Sequence, residues 1–532
     1  MSVATARSVS LQGAMGHLID VQVDVSPGQV AVVMVGRADV SLREAGDRCR
    51  MAIINSDLGW PATKRVTVLF SPADLVKRGP HFDLSVAIAV LAADGGIPPG
   101  SLVDTAFIGE LTLSGGLRSV PGVLPMVLAA AERGIRHVFV PEPQVREAAM
   151  VPGVSVLGMR SLAQVVAELC GEQVPEAPPV APMSGSRLLT WRGAERLEQV
   201  DFADLEGLHD AKYALEVAAA GGHALLLSGP KGAGKTSLAE RVPSILPPLI
   251  PEEALELTAI HSLAGALEPG DGLITEPPYC APHHDASKTS IVGGGSGQVR
   301  PGEISRAHAG VLFLDEFPLF RADIIEALRQ PLESGDITIA RRDESVTLPA
   351  RGMLVLACNP CACGNYAVKV GRSQCTCRPQ QLRDYRSKLD GPLADRIDVV
   401  RHVGPLQPHE RGGPPGEPSA VVRARVAAAR ERQHRRYVDC GWRLNGQAPG
   451  PALRDRWPLS DAGRRVLDTA LYAGRLSSRG AVRVHRLALT IADLASVRMG
   501  CEVEPGVDAV DAALRLRTGE PLLVAQLGEA AG

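Results

Sequence analysis

Hydrophobic and polar positions follow two different rhythms along this chain, and the change of rhythm divides it. Over residues 1–172, β-branched content and alternation mark Val21-Gln-Val-Asp-Val25, Val30 to Val35 and Arg65-Val-Thr-Val-Leu-Phe70. A period of two sends successive side chains to opposite faces of a sheet, so these segments are predicted strands. Leu84–Leu91 and Leu124–Arg133 are apolar almost throughout, the pattern of buried helices. Residues 173–188 are rich in Pro and poor in large apolar groups, which predicts a stiff, exposed linker.

From Asp201 the apolar runs become continuous. Ala224–Ser228, Val311–Asp315 and Met353–Ala357 carry hardly a polar side chain before their last residue, as strands covered on both faces of a parallel sheet do. Ile337-Thr-Ile-Ala340 and Ser345-Val-Thr-Leu348, joined by Arg341-Arg342-Asp343-Glu344, predict a hairpin. A second Pro/Gly cluster covers 406–418. Beyond it, Ala420–Arg435 and Arg479–Val497 are charged amphipathic helices. The expected organisation is therefore a mixed α+β domain at 1–172, a linker at 173–200, an α/β core at 201–403 and a helical domain at 404–532.

Composition narrows the function. A net charge of -3 gives no global attraction for a polyanion, so any nucleic-acid partner must meet local basic patches. With aromatics at 3%, such contacts would lean on charge and backbone amides rather than base stacking. The longest apolar stretch, Leu84–Ala93, is bounded by Asp83 and Asp94 and is half of the roughly 20 residues a membrane span needs. The first twenty residues hold Arg7, His17 and Asp20 and lack a signal-peptide core. The expectation is a cytoplasmic protein without membrane contact, whose ten cysteines are thiols or metal ligands.

The chemistry concentrates after the predicted strands. Gly229-Pro230-Lys231-Gly232-Ala233-Gly234-Lys235-Thr236, followed by Ser237, lies between a strand and a helix, the context a P-loop requires. Glycines let successive amides turn toward phosphate oxygens, Lys235 adds a charge, and the Thr236 hydroxyl can ligate Mg2+. Asp315 and Glu316 close the next apolar strand. At the carboxyl edge of a parallel sheet, Asp315 is placed to hold the metal and Glu316 to act as general base. Asn359 ends the third strand, where it can hold a γ-phosphate or lytic water, or simply form a turn before Pro360.

With these strands placed, the sequence resembles the magnesium-chelatase-like AAA+ ATPase family of the ComM/YifB type. The resemblance rests on Asp201-Phe-Ala-Asp-Leu-Glu-Gly207, Ala281-Pro-His-His284, Val292-Gly-Gly-Gly-Ser296, Arg300-Pro-Gly-Glu-Ile-Ser305, Asn359-Pro-Cys-Ala-Cys-Gly364, Gly391-Pro-Leu-Ala-Asp-Arg396-Ile-Asp398 and Thr490-Ile-Ala-Asp-Leu494. It implies ATP hydrolysis with Mg2+ between the subunits of a homo-hexamer, under a C-terminal helical lid. Arg396 matches the family's arginine finger. Arg479 matches the lid's sensor arginine, with Arg483 one turn later as competitor. The 336–348 hairpin would project into the ring pore, where Arg341 and Arg342 would meet DNA phosphates; a solvated turn is the alternative. Lys288 belongs to a second candidate pore element. The partner is then single-stranded or branched DNA, or, if the chain acts like the chelatase motor subunit, another protein.

The N-terminal region resembles the Lon proteolytic domain, a ribosomal S5-like fold, through Lys77-Arg-Gly79-Pro80 and Gly109-Glu-Leu-Thr-Leu-Ser-Gly-Gly116. Its nucleophile position holds His81 and its catalytic Lys position Val120, so the resemblance implies a fold without peptidase chemistry. Two departures from the chain's own family stand out, Gly36-Arg37-Ala38 for Gly-Leu-Pro and Ala488-Leu489-Thr490 for Ala-Arg-Thr. Cys361-x-Cys363 and Cys375-x-Cys377 could form a tetrahedral Zn2+ site or remain four reduced thiols.

Overall fold

A computed structural model of the chain describes all residues except 1, 13–14, 37–39, 74, 76, 78, 182–199, 268–270, 296–298, 342–343, 367–374, 390–392, 406–415 and 523–532. The alternating N-terminal segments form a seven-stranded sheet. Its spatial order is Ala31–Val35, Arg65–Ser71, Met15–Ser26, Ser2–Gln12, Thr105–Phe107, His137–Pro141, Ser155–Met159. Ser2–Gln12 and Met15–Ser26 pair as a long antiparallel hairpin, from Ser2 opposite Val25 to Gln12 opposite Met15. Arg65–Ser71 continues antiparallel on one side of it, and Thr105–Phe107 starts a parallel run on the other. The helix Asp83–Ala93 is buried at every position, as its almost wholly apolar sequence requires. Asp83 at its start is matched by Arg48, whose Nε and Nη2 donate at 2.9 and 3.0 Å. Burial still raises its pKa to about 6, against the lowering effect of Arg48.

The first part of the Pro-rich segment is less free than its composition suggests. Pro175 and Ala177 carbonyls accept hydrogen bonds from Gln164 Nε2 and Arg160 Nη1, and Val180 is buried, so these residues lie along the N-terminal domain. Extended Pro-rich backbone leaves its carbonyls unpaired, and neighbouring side chains have taken them.

The next sheet is parallel throughout, in the order Tyr279–Cys280, Val311–Leu314, Met353–Cys358, Leu225–Ser228, Val399–His402. The third, fourth and first strands in chain order are thus adjacent. Their carboxyl ends share one edge, where ligands bind in open parallel sheets. Two apolar layers cover the sheet. One includes the helix His209–Gly221 and reaches into the C-terminal helices through Val422, Val426, Val484 and Leu487. The other runs through Leu314, Leu356 and the hairpin residues Ile337, Ile339, Val346 and Leu348, and on into the N-terminal domain.

That last junction is tight. Gly122 N–H donates to Ser262 O at 3.1 Å, and the Ser262 hydroxyl and Leu124 N–H both donate to Glu147. Leu263 and Ala259, on the helix Pro251–Ala264, share an apolar cluster with Val9, Leu11 and Leu124.

Among the described residues from Gly416 onward, the regular elements are helical, chiefly Ser419–Arg436, Asp461–Tyr472, Ser478–Met499 and Val507–Thr518. Polar ties fasten them to the core. Glu216, buried in the helix His209–Gly221, accepts from Arg425 Nε at 2.8 Å and Arg498 Nη2 at 3.0 Å. Leu489 packs with Tyr437, Ala448 and Leu453. Only 5% of it is exposed, so an apolar residue suits a position where the family usually carries Arg.

Candidate functional site

The strand Leu225–Ser228 ends in a loop that delivers the chain to the helix Lys235–Glu240. Two glycines make the turn possible. Gly232 and Gly234 sit at φ +75° and +88°, a region that L side chains avoid. Gly229 is required for space instead, since a Cβ there would lie 2.1 Å from Val403 O. Lys231, Gly232 and Thr236 are exposed, Pro230, Gly234 and Ser237 are half-buried, and Ala233 is buried.

Lys235 is buried, and its Nζ donates to Gly229 O and Pro230 O at 2.8 Å and to Asn359 Oδ1 at 3.1 Å. Burial lowers its pKa, while Asp315 and Glu316 oppose the shift. These three acceptors are neutral oxygens. An ammonium held by neutral oxygens keeps its charge uncompensated beside the loop, which suits an anion.

The carboxylates stand beside it. Thr236 Oγ1 donates to Asp315 Oδ2 at 3.0 Å, and Asp315 Oδ1 accepts the Glu316 N–H at 2.8 Å. Glu316 adopts φ +48°, ψ +41°, left-handed for a non-glycine residue and costing about 1–2 kcal/mol. Its Oε1 accepts Asn359 Nδ2 at 3.2 Å, and Asn359 O accepts the Tyr385 hydroxyl at 3.1 Å. Asn359 therefore bridges the lysine and the glutamate. Thr236, with Asp315 at bonding distance, offers the hydroxyl and carboxylate that a hard Mg2+ prefers. The site thus fits a magnesium–nucleoside triphosphate by the chemistry of its donors.

The structure brings Lys235, Thr236, Asp315, Glu316 and Asn359 together, but it does not bring the arginines to them. Arg396 Nε donates to Glu333 Oε1 at 2.7 Å. Arg483 pairs with buried Asp398 and donates to Asp395 O at 2.8 Å. Arg479 is exposed at the start of the helix Ser478–Met499. A crevice behind the sheet is lined by Glu333, Arg351, Arg396, Asp398, Arg483 and Arg486. Arg351 and Arg486 carry no motif; only their place in the fold makes them part of a basic face.

The hairpin forms with strands Asp336–Arg341 and Glu344–Pro349, and Arg341 pairs with Glu344. The pairing thus extends one residue further on each strand than the sequence pattern suggests. The Arg341 side chain and all of Arg342 lie outside the described residues. Lys288 is exposed and 3.9 Å from Asp323. Cys361, Cys363, Cys375 and Cys377 converge, with every Sγ within 4.8 Å of the others.

In the N-terminal domain, His81 is buried with its Nε2 2.9 Å from Val9 O, and burial lowers its pKa to about 4. Val120 is buried too, its N–H and C=O both bonded to Gln144. Of the departing triplet, Arg37 and Ala38 lie outside the described residues.

Comparison with known proteins agrees with this layout. Residues 201–411 match the family model for magnesium chelatase subunit ChlI, 21–144 one for subunit ChlI of Mg-chelatase, and 416–517 one for the ChlI C-terminal region. An uncharacterised protein of Mycobacterium tuberculosis is 43% identical over 97% of this chain and 99% of its own length. YifB of Escherichia coli is 40% identical, and the competence protein ComM of Haemophilus influenzae 38%, each over 93% of this chain and 94% of its own. Lon protease 1 of Sorangium cellulosum is 30% identical over 146 residues, which are 26% of this chain and 17% of that protein. No helix among the described residues is long and apolar enough to cross a membrane. A P-loop on a parallel sheet, a helical C-terminal domain and relatives matched from end to end give one result: the chain belongs to the magnesium-chelatase-like AAA+ ATPase family, alongside YifB and ComM.

Proposed function

We propose that the chain is an ATP-hydrolysing ring motor that acts on DNA. The observation that carries the hydrolytic part is the bonded set in which Asn359 links Lys235 to Glu316, beside Thr236 on Asp315. ATP, bound as its magnesium complex, supplies the transferable phosphoryl group and a metal that offsets its charge. Loop amides between Lys231 and Ser237 and the Lys235 ammonium hold the phosphates. Thr236 and Asp315 hold the metal, Glu316 takes a proton from the attacking water, and Asn359 aims Glu316. Because Arg396 faces Glu333 rather than the P-loop, it serves the site of a neighbouring subunit, while Arg479 or Arg483 is the sensor arginine of the lid. That requires a closed oligomer, which we read as a hexamer.

The DNA part rests on a relative named as a competence protein, and on the hairpin 336–349, whose Thr338 and Thr347 face outward while Ile337 and Leu348 anchor it. Arg341 and Arg342, with Lys288, would supply sequence-blind phosphate contacts. The matched description of a magnesium-chelatase subunit favours a second reading, a motor that remodels a partner protein. Peptidase activity is no part of either reading, since buried His81 and Val120 offer no nucleophile and no base.

The test is ATP turnover with and without single-stranded and branched DNA, beside a Glu316→Gln control. DNA-stimulated turnover that vanishes in the control supports the motor on DNA. Turnover indifferent to DNA moves the assignment to a protein substrate. No turnover at all overturns both.

A further inference from the structure

The four clustered cysteines are unused by the reading above, and their geometry is specific. Cys361 Sγ lies 3.3 Å from Cys363 Sγ and 3.7 Å from Cys375 Sγ, and Cys363 Sγ lies 3.6 Å from Cys375 Sγ. A disulfide would bring two sulfurs to about 2 Å. Four thiolates around zinc, each about 2.3 Å from the metal at tetrahedral angles, stand about 3.8 Å apart. The observed separations are too long for a disulfide and lie close to the second arrangement.

Backbone N–H groups also point at three of these sulfurs. Cys363 Sγ accepts N–H groups of Asn365 and Thr376, Cys375 Sγ that of Cys377, and Cys377 Sγ that of Cys363. Amide donors aimed at sulfur stabilise thiolate and offset the charge a metal leaves on its ligands. Gly364 makes the first pair converge: it sits at φ +84° and its N–H donates to Cys361 O at 3.0 Å, folding Cys361-Ala-Cys363 back on itself. That turn is what lets a Cys-x-Cys spacing serve.

We propose that Cys361, Cys363, Cys375 and Cys377 bind one structural zinc ion, and that this centre holds Asn359 in place. Four protein ligands leave no open position, so the ion is structural rather than catalytic. Binding replaces four S–H bonds by four Zn–S bonds and releases the protons to solvent. The centre sits two residues beyond Asn359 and joins the end of Met353–Cys358 to the helix Pro379–Leu389. From that helix the Tyr385 hydroxyl donates to Asn359 O at 3.1 Å, and Lys388 Nζ to Pro318 O at 2.7 Å. At Gly364 a Cβ would lie 3.0 Å from the Lys231 side chain, so the knuckle abuts the P-loop. Metal loss would therefore free the loop that presents Asn359 to Lys235 and Glu316.

The positioning role rests on the proposed ATPase; the metal site does not, and the experiment keeps them apart. Full-length protein, purified without chelator, is measured for metal content by mass spectrometry and exchanged with cobalt. One zinc per chain and the intense visible bands of tetrahedral thiolate-bound cobalt are expected. Wild-type protein that takes up neither metal overturns the site, whatever the variants do. A Cys375→Ser/Cys377→Ser double variant should lose the zinc and at least tenfold in turnover, with magnesium-nucleotide affinity changed by less than threefold. Chelator-stripped wild-type protein should behave likewise and recover with zinc. Full turnover without zinc, in either preparation, overturns the positioning role.

Discussion

Replacing Asn359 by Ala cuts the bridge between the P-loop lysine and the candidate base. Two hydrogen bonds go, Lys235 Nζ to Oδ1 at 3.1 Å and Nδ2 to Glu316 Oε1 at 3.2 Å, each with one charged partner. Bonds of this kind contribute about 1.5–3 kcal/mol apiece. The lysine keeps Gly229 O and Pro230 O, so the loss at the phosphate-binding end is partly covered. Glu316 is half-buried and turns to water, with nothing left to aim it. Assigning about 2 kcal/mol to the chemical step gives a fall in kcat of about thirtyfold. Nucleotide affinity should change by less than threefold, because phosphate contacts from the loop amides and Lys235 remain. Steady-state phosphate release gives kcat, and equilibrium titration with a fluorescent nucleotide gives Kd. A kcat within threefold of the unmodified chain would refute the bridge. A collapse of affinity with kcat preserved would reassign Asn359 to binding.

Three further outcomes are expected. Gly229→Ala should lower the melting temperature and abolish nucleotide binding, since its Cβ would meet the Val403 carbonyl at 2.1 Å and backbone cannot step aside cheaply; unchanged binding contradicts the close approach. Arg396→Ala and Lys235→Ala chains, each inactive alone, should regain part of their turnover when mixed, because one supplies an intact P-loop and the other an intact arginine; no recovery after subunit exchange refutes action across an interface. His81 is neutral when buried, its pKa lowered from 6.5 to about 4, so its stabilising effect is complete above pH 6.5 and is lost as pH falls toward 4. Between pH 7 and pH 5 the N-terminal domain should lose about 2 kcal/mol through this group. Urea midpoints at both values, with His81→Gln as the reference for the other titrating groups such as Asp83, check it; an equal slope in the variant contradicts the assignment.

Elements whose local pattern agrees with their environment were legible in the sequence. Val311–Leu314 and Met353–Cys358 read as doubly covered strands because no side chain in either is polar, and both lie inside the parallel sheet. Ser2–Gln12 did not stand out, because its buried positions Ala4 and Ala6 are small and its others include Ser8 and Ser10. Alternation of size is a weaker signal than alternation of large apolar and charged residues. The P-loop and Asp315 could be found because local spacing fixes them. Arg351 and Arg486 could not, since they reach the crevice beside Arg396 only through tertiary packing. The left-handed turn at Glu316 was invisible for a related reason: glutamate does not prefer that conformation, and the surrounding strand and helix impose it.

The junction between the N-terminal domain and the ATPase core has a mechanical consequence. Glu147 takes hydrogen bonds from both sides of it, from Ser262 and from Leu124, and Leu263 is packed among N-terminal apolar residues. The connection is a weld rather than a tether. Force applied to the N-terminal domain has a direct path through the helix Pro251–Ala264 into the core. A rotation of the core in response to nucleotide would then sweep the N-terminal domain along as an outrigger. Small angular changes near the phosphates would become larger displacements at its far edge.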